Sequence, residues 1–278
     1  MTSSIRRTFL AAGMLAIAMA SAGSGQAEAQ DEPKTLAVLR FDNNTGNPRY
    51  DNLGRAFSSM MISDLSVLEG VQLIERDRIE ELLAELNLQQ SAYVDPNSAQ
   101  DVGMIVGAEY VVVGAFAAVE PEMRIDTRIA HVESAEIVQT AEASGQETEL
   151  FALQEQLANQ LVEGLSLVLS EEEKALLREQ QAANRIQDLE TFILFSEALC
   201  YLDYGEYEEA FDRIQDVQEA APGSGLVRAT FNTLRDRVEE EAKDRLVNEA
   251  GRRLGGLLGR NNNNDRDRRD DRRPRSRC

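Results

Sequence analysis

The chain has 278 residues, room for one medium domain and a smaller one. Apolar residues make up 42% of it, with no Trp and only 5% aromatics, so the core is expected to be mostly aliphatic. Asp and Glu outnumber Lys and Arg by 49 to 29, and a body at formal charge −20 repels phosphates, which argues against general nucleic-acid binding.

Arg6 and Arg7 precede an apolar run from Phe9 to Ala20 that is too short to span a bilayer, and small residues follow it. Ala27-Glu28-Ala29 fits a small-x-small cleavage site, so residues 1–29 read as a cleaved signal peptide and the mature chain as periplasmic in a two-membrane cell. Arg6-Arg7-Thr8-Phe9-Leu10 also resembles the twin-arginine export motif, which leaves both export routes open. No Cys lies near the cleavage site, so no lipoprotein anchor is expected. No later stretch is long and apolar enough for a transmembrane helix.

Residues 35–41 form a β-prone run that ends in the turn-forming string Asp42-Asn43-Asn44-Thr45-Gly46. From Tyr50 to Leu68 apolar residues recur at helical spacing, with Asp64 a polar exception on the apolar face, and Gly70 follows the helix. Val71 to Ile74 reads as a strand. Asp77 and Glu80 form a capping-box pattern ahead of Ile79, Leu82, Leu83 and Leu86 on one helical face. Ser98 to Val106 predicts a short helix ended by Gly107. Residues 109–119 form a continuous apolar run, expected to be a strand covered on both faces.

Strands follow at 123–132 and 135–143, with a hairpin at Val132 to Ala135. Met123, Ile125, Thr127 and Ile129 share one face of the first, and Arg124, Asp126 and Arg128 the other. A helix from about Glu147 to Val168 closes this part. The order predicts a mixed sheet with helices packed on it, an α/β sandwich over residues 30–169. Ser170 with Glu173 is a second capping box and opens an all-α region at 170–254. From Arg252 to the end, ten Arg against four Asp give a local +6, and residues 255–278 are expected to be a disordered Arg-, Asp- and Asn-rich tail.

Catalytic chemistry is missing from the pattern. His131 is the single His, which excludes multi-His metal sites; alternation places it on the face of Ile125 and Ile129, as an ordinary strand histidine. Cys200 and Cys278 are not spaced as a redox or zinc pair, and a bridge between them and a dimer through Cys278 both stay open. Gly103 to Gly114 lacks a Gly-Lys-Ser/Thr element, and Glu80-Glu81, Glu171 to Glu173 and Glu239 to Glu241 read as solvated helix faces. Asp265, Asp267, Asp270 and Asp271 weaken the tail as an anion-binding segment. The expectation is no catalytic, cofactor-binding or metal-binding residue, no cofactor and no enzyme.

Several pieces of residues 35–166, in order, resemble the CsgG family of curli production and assembly proteins. They are Leu36-Ala37-Val38-Leu39 with Phe41; Leu53-Gly54-Arg55-Ala56; Val71 to Arg76; Glu81 to Leu86; Gln89-Gln90-Ser91 with Val94-Asp95-Pro96; Gly103; and Gly107 to Gly114. Within them Gly54 and Gly107 read as backbone or packing glycines, Glu75-Arg76 as a strand-end pair, and Gly114 as a close strand approach. The resemblance implies an α/β sandwich, like those of outer-membrane lipoproteins that activate peptidoglycan synthases and of Tol-system proteins, and a role in docking envelope proteins. The lipobox Cys of the curli secretion protein is missing here. Its pore strands are also missing: Glu120-Pro121-Glu122 is too short a link, and the strands carry Arg124, Asp126 and Arg128.

The helical region resembles one tetratricopeptide unit at Ala198, Tyr201, Gly205, Tyr207, Ala210 and Pro222, with Leu194, Ile214 and Val217 as apolar partners. Residues 171–190 and 226–250 are placed to flank that hairpin. The sequence thus reads as a periplasmic, non-enzymatic adaptor that binds other envelope proteins, with room for a homo-oligomer and for peripheral contact with the outer membrane. The alternative is an oligomeric secretion-channel component of the outer membrane.

Overall fold

The computed structural model describes residues 32–85, 96–119, 121–257 and Cys278. The expected signal peptide, Gln89 to Asp95 and most of the expected tail therefore lie outside the described residues. The first strand, β1 (Lys34–Val38), is followed by the two-residue β2 (Asp42–Asn43), α1 (Leu53–Leu65), β3 (Val71–Leu73), α2 (Arg76–Glu85) and α3 (Pro96–Val106). Three ten-residue strands then meander: β4 (Tyr110–Val119), β5 (Glu122–His131) and β6 (Ile137–Gln146). Helices α4 (Leu150–Gly164), α5 (Glu171–Asn184), α6 (Leu189–Asp203), α7 (Tyr207–Ala220) and α8 (Gly225–Leu257) complete the described chain. This is the expected mixed sheet followed by an all-α region; α8 runs three residues past the predicted start of the tail.

The sheet order is β3-β1-β4-β5-β6, parallel through β3, β1 and β4 and antiparallel from β4 to β6, with β2 pairing parallel to β4. Its two faces are filled by alternate residues, as the pleat requires. Leu36, Val38, Val112, Phe116, Met123, Ile125 and Ile129 point into the larger core with α1 and α4. Ala37, Leu39, Val111, Ala130 and Val132 point to the other side, under Ile79 and Leu83 of α2 and Ala99, Val102 and Val106 of α3. Double coverage reaches only the first part of β4. Val113, Ala115 and Ala117, farther along the α2–α3 side, are partly open, because α2 and α3 do not extend over that end.

The larger core is continuous from the sheet into the C-terminal helices. Phe57 of α1 is its pivot. Its ring centroid lies 5.7 Å from Phe41, 5.3 Å from Phe116 and 5.4 Å from Phe192 of α6, in tilted and edge-on contacts that favour aromatic pairs. Phe41 also explains two glycines. A Cβ on Gly54 would stand 1.8 Å from the Phe41 carbonyl oxygen, and one on Gly114 would stand 2.3 Å from the Phe41 ring. The close approach expected at Gly114 is thus made by an aromatic side chain lying on the strand.

Three local expectations are corrected. The Ile79 amide bonds to the Glu75 carbonyl, so α2 starts at Arg76, one residue before Asp77, and Asp77 lies in its first turn. Arg76 does not pair with its neighbour Glu75 but turns inward. The β5–β6 turn runs to Glu136: Ala135 has φ +57°, a left-handed conformation closed to strands, and the His131 amide bonds to the Glu136 carbonyl at 2.9 Å. The Ser170–Glu173 capping box forms as expected, with the Glu173 amide donating to Ser170 Oγ at 3.1 Å and the Ser170 amide to Glu173 Oε2 at 2.9 Å.

At the outer edge of the sheet, the Glu142 amide donates to Gln160 Oε1 at 3.2 Å, and Gln156 and Gln160 Nε2 each donate to the Glu142 carbonyl at 3.4 Å. Both glutamines come from α4.

Candidate functional site

Two loops that follow parallel strands each deliver an arginine to one place. Arg55 lies in the first turn of α1, and Arg76 opens α2 just beyond β3. Both are buried, and both meet the carboxylate of Asp203, the last residue of α6. Arg55 Nε donates to Asp203 Oδ2 at 2.9 Å, and Arg76 Nη1 donates to Asp203 Oδ1. Arg55 Nη1 also donates to Asn52 Oδ1 at 2.9 Å, while its guanidinium lies 5.8 Å from the Tyr204 ring centroid. Burial works against the charge on Arg76, but Asp203, Asp77 and Glu80 outweigh it and raise its pKa. The Glu80 carboxyl is raised by burial and by Asp203, against the pull of Arg40, Arg76 and Arg55. With one internal carboxylate satisfying two arginines, the cluster is a clamp and offers no reactive group.

Beside the clamp a groove of about 500 Å³ opens between α1, the start of α2, α6 and α8. Ile62, Leu199, Leu202 and Leu226 form its apolar floor; Glu75, Asp77, Asp236 and Glu240 stand on its rim. The two rim cations are already engaged. Arg76 is held by Asp203 and Asp77, and Arg237 Nη2 donates to Glu81 Oε1 at 2.7 Å and lies 3.9 Å from Asp77. The groove is therefore apolar inside and acidic at its edge.

On the opposite side of α1, Asp64 is only 2% exposed. Asn184 Nδ2 donates to its Oδ1 at 2.7 Å and Gln154 Nε2 to its Oδ2 at 3.2 Å, which ties α1 to α5 and α4. Burial raises its pKa to about 7, despite those two hydrogen bonds, which act to lower it. Gln154 Oε1 and Asn184 Oδ1 are buried acceptors without a partner among the described residues. The polar exception in the helical pattern is this group; its partners, 90 and 120 residues away, were not readable from spacing.

The open end of the sheet carries a second cleft, of about 450 Å³, lined by Asp42, Ala115, Arg124, Asp126, Arg128 and Glu142 among others. Arg124 Nη2 lies 2.6 Å from Asp126 Oδ1 and 2.9 Å from Glu142 Oε2. Half-burial raises the Asp42 pKa, opposed by Arg40. This is the face predicted to carry Arg124, Asp126 and Arg128; Arg124 pairs with Asp126 along β5 and with Glu142 across to β6.

His131 packs edge-on against Tyr110, with ring centroids 5.2 Å apart, and its Nδ1 lies 3.1 Å from Ser134 Oγ. Among the described residues no carboxylate is hydrogen-bonded to it. Cys200 and Cys278 are joined as a disulfide with Cα atoms 5.9 Å apart, which decides the alternative left open by the sequence. Among the described residues no group of three His, Cys, Asp or Glu side chains could hold a metal ion, and no helix is long and apolar enough to cross a membrane.

Residues 18–125 match the family described as curli production assembly/transport component CsgG. Part of this chain is CsgG-like. The CsgG-like region holds both clamp arginines, Arg55 and Arg76, whereas Asp203 lies beyond it. Among solved structures, the LpoB C-terminal domain from Salmonella enterica is 18% identical, with 44% of this chain and 88% of that one covered and a TM-score of 0.36. Lipoprotein GNA1162 from Neisseria meningitidis is 14% identical over 50% of this chain and all of its own, with a TM-score of 0.37. TolB from Acinetobacter baumannii is 13% identical over 50% of this chain and 30% of its own, with a TM-score of 0.34. No sequence among curated proteins matches the chain.

Proposed function

We propose that the chain is a non-enzymatic adaptor of the bacterial cell envelope, exported to the periplasm with residues 1–29 removed. Its α/β part docks or self-associates, and its tetratricopeptide-like hairpin, α6 and α7, helps to hold a segment of another envelope protein. The observation that carries this reading is the groove between α1, α2, α6 and α8. An apolar floor with an acidic rim suits an amphipathic segment bearing Lys or Arg beside its apolar face. Ala198 of α6 and Ala210 of α7 are buried, the link between the two helices passes through Gly205 at φ +70°, and Leu199 and Leu202 of α6 line the groove, which supports this reading of the hairpin.

A photo-crosslinking side chain at Ser59 or Thr233, both on the groove, tests this in cells. The same envelope protein is expected from both positions and not from Arg124 on the sheet cleft. The chain is expected in the fraction released by osmotic shock. Recovery as membrane-embedded, ion-conducting rings would replace the adaptor with the secretion-channel reading.

A further inference from the structure

The groove beside the clamp is walled by single faces of helices. On α8 the lining residues Leu226, Ala229, Thr230, Thr233, Asp236 and Glu240 fall within an arc of about 120°, at about 100° per residue. Their stripe is about 21 Å long, close to four helical turns. Ser59, Ile62 and Ser63 line the groove from one face of α1, and Leu199 and Leu202 from one face of α6. Walls of this kind offer an occupant no main-chain partners, because their amides and carbonyls are spent inside the helices. Two floor hydroxyls are spent as well. Ser63 Oγ accepts from Asn184 Nδ2 at 3.0 Å and from Gln180 Nε2 at 3.2 Å, and Thr233 Oγ1 donates to the Ala229 carbonyl at 3.2 Å. An extended segment laid on this floor would bury unpaired backbone groups, which is costly. A helix satisfies its own backbone and presents only side chains.

The stripe changes character along its length. Its Leu226 end carries apolar and small side chains, whereas its far end carries Asp236 and Glu240. Arg237, next to Asp236 in the chain, lies 3.9 Å from Asp77, so the acids of α8 and those at the start of α2 share one end of the groove. Asp77 is engaged by Arg76 and Arg237, and Asp236 by Arg235. Glu75 and Glu240 have no ion-pair partner among the described residues, and both are exposed. These two carboxylates remain available to an incoming cation.

The geometry points to one kind of occupant: an amphipathic α-helix of a partner protein, about four turns long, with its Lys or Arg residues gathered at one end. Its apolar face lies on Ile62, Leu199, Leu202 and Leu226, and its basic end reaches Glu75 and Glu240. This rests on the groove reading above and narrows it, from any amphipathic segment to a helix of defined length and charge distribution.

Fluorescence anisotropy of the purified chain with labelled synthetic peptides tests this. The probe is a peptide of about fifteen residues of Leu, Ala and Lys, with Leu at helical spacing and Lys at one end. It is expected to bind at least about tenfold more tightly than a version with Pro at its centre, which carries the same charge but cannot form the helix. A version with Glu in place of Lys is expected not to bind. Glu75→Lys with Glu240→Lys is expected to weaken binding of the Lys peptide at least about tenfold. Ala229→Trp, at an exposed position on the floor, is expected to block it. Circular dichroism of each variant confirms that the body stays folded. Equal affinity for the proline version overturns the helical occupant. So does a helical peptide that fails to bind, or one whose binding survives both the charge reversal and Ala229→Trp. The broader groove reading falls separately, when crosslinkers at Ser59 and Thr233 capture no common envelope protein in cells.

Discussion

Asp203 Oδ2 accepts a 2.9 Å hydrogen bond from Arg55 Nε across 148 residues of sequence, and its other oxygen binds Arg76. The last residue of α6 is thereby fixed to the first turns of both α1 and α2. Removing one partner of a buried charge cluster leaves the others without compensation. Asp203→Ala is expected to lower stability by about 3–5 kcal/mol, read from urea denaturation. Asp203→Asn, which can still accept a hydrogen bond, is expected to cost less. Equal stability of Asp203→Ala and the parent chain would show that the clamp does not hold the helices.

Phe192 carries the apolar counterpart of that link, since its ring meets both Phe57 of α1 and Phe151 of α4. Phe192→Ala is expected to lower stability by about 3–5 kcal/mol. Because the core is continuous, fluorescence of the tyrosines and far-ultraviolet circular dichroism are expected to report one shared transition. Two separated transitions would show that the sheet and the helices unfold independently.

Burial holds Asp64 at about 7, above its ordinary 3.8. Between those values the folded chain binds a proton that the unfolded chain has released, so stability falls as pH rises. The contribution of neutral Asp64 is complete below about pH 4 and is lost as pH rises through about 7. Asp64→Asn keeps the shape and never ionises. From about pH 5 to about pH 7 its stability is expected to fall less steeply than the parent's, by up to about 1.4 kcal/mol per pH unit. Denaturant titrations across that range check this, and parallel slopes would contradict it.

Gly114→Ala would place a methyl group 2.3 Å from the Phe41 ring, where only backbone now fits. Overpacking of this kind is expected to cost about 1–3 kcal/mol, and Phe41→Ala in the same chain is expected to relieve that part of the loss in a double-mutant cycle. Additive losses would place the ring elsewhere.

The fold was legible where periodicity decides it. The alternation of Met123, Ile125, Thr127 and Ile129 with Arg124, Asp126 and Arg128 gave the two faces of β5, and Ser170 with Glu173 marked the start of α5 correctly. Long-range partners were not legible. Arg55, Arg76 and Asp203 each look like ordinary helix-end charges, and Asp64 was visible as an exception without any sign of Asn184 or Gln154. Ala135 misled because alanine gives no hint of left-handed backbone, and Asp77 because the helix found its first carbonyl at Glu75.

The side chains of Gln156 and Gln160 occupy the outward amide and carbonyl of Glu142, midway along β6. A strand arriving at that edge would find the Glu142 amide and carbonyl already taken, which interrupts the ladder at mid-strand and disfavours the recruitment of further chains into a fibre.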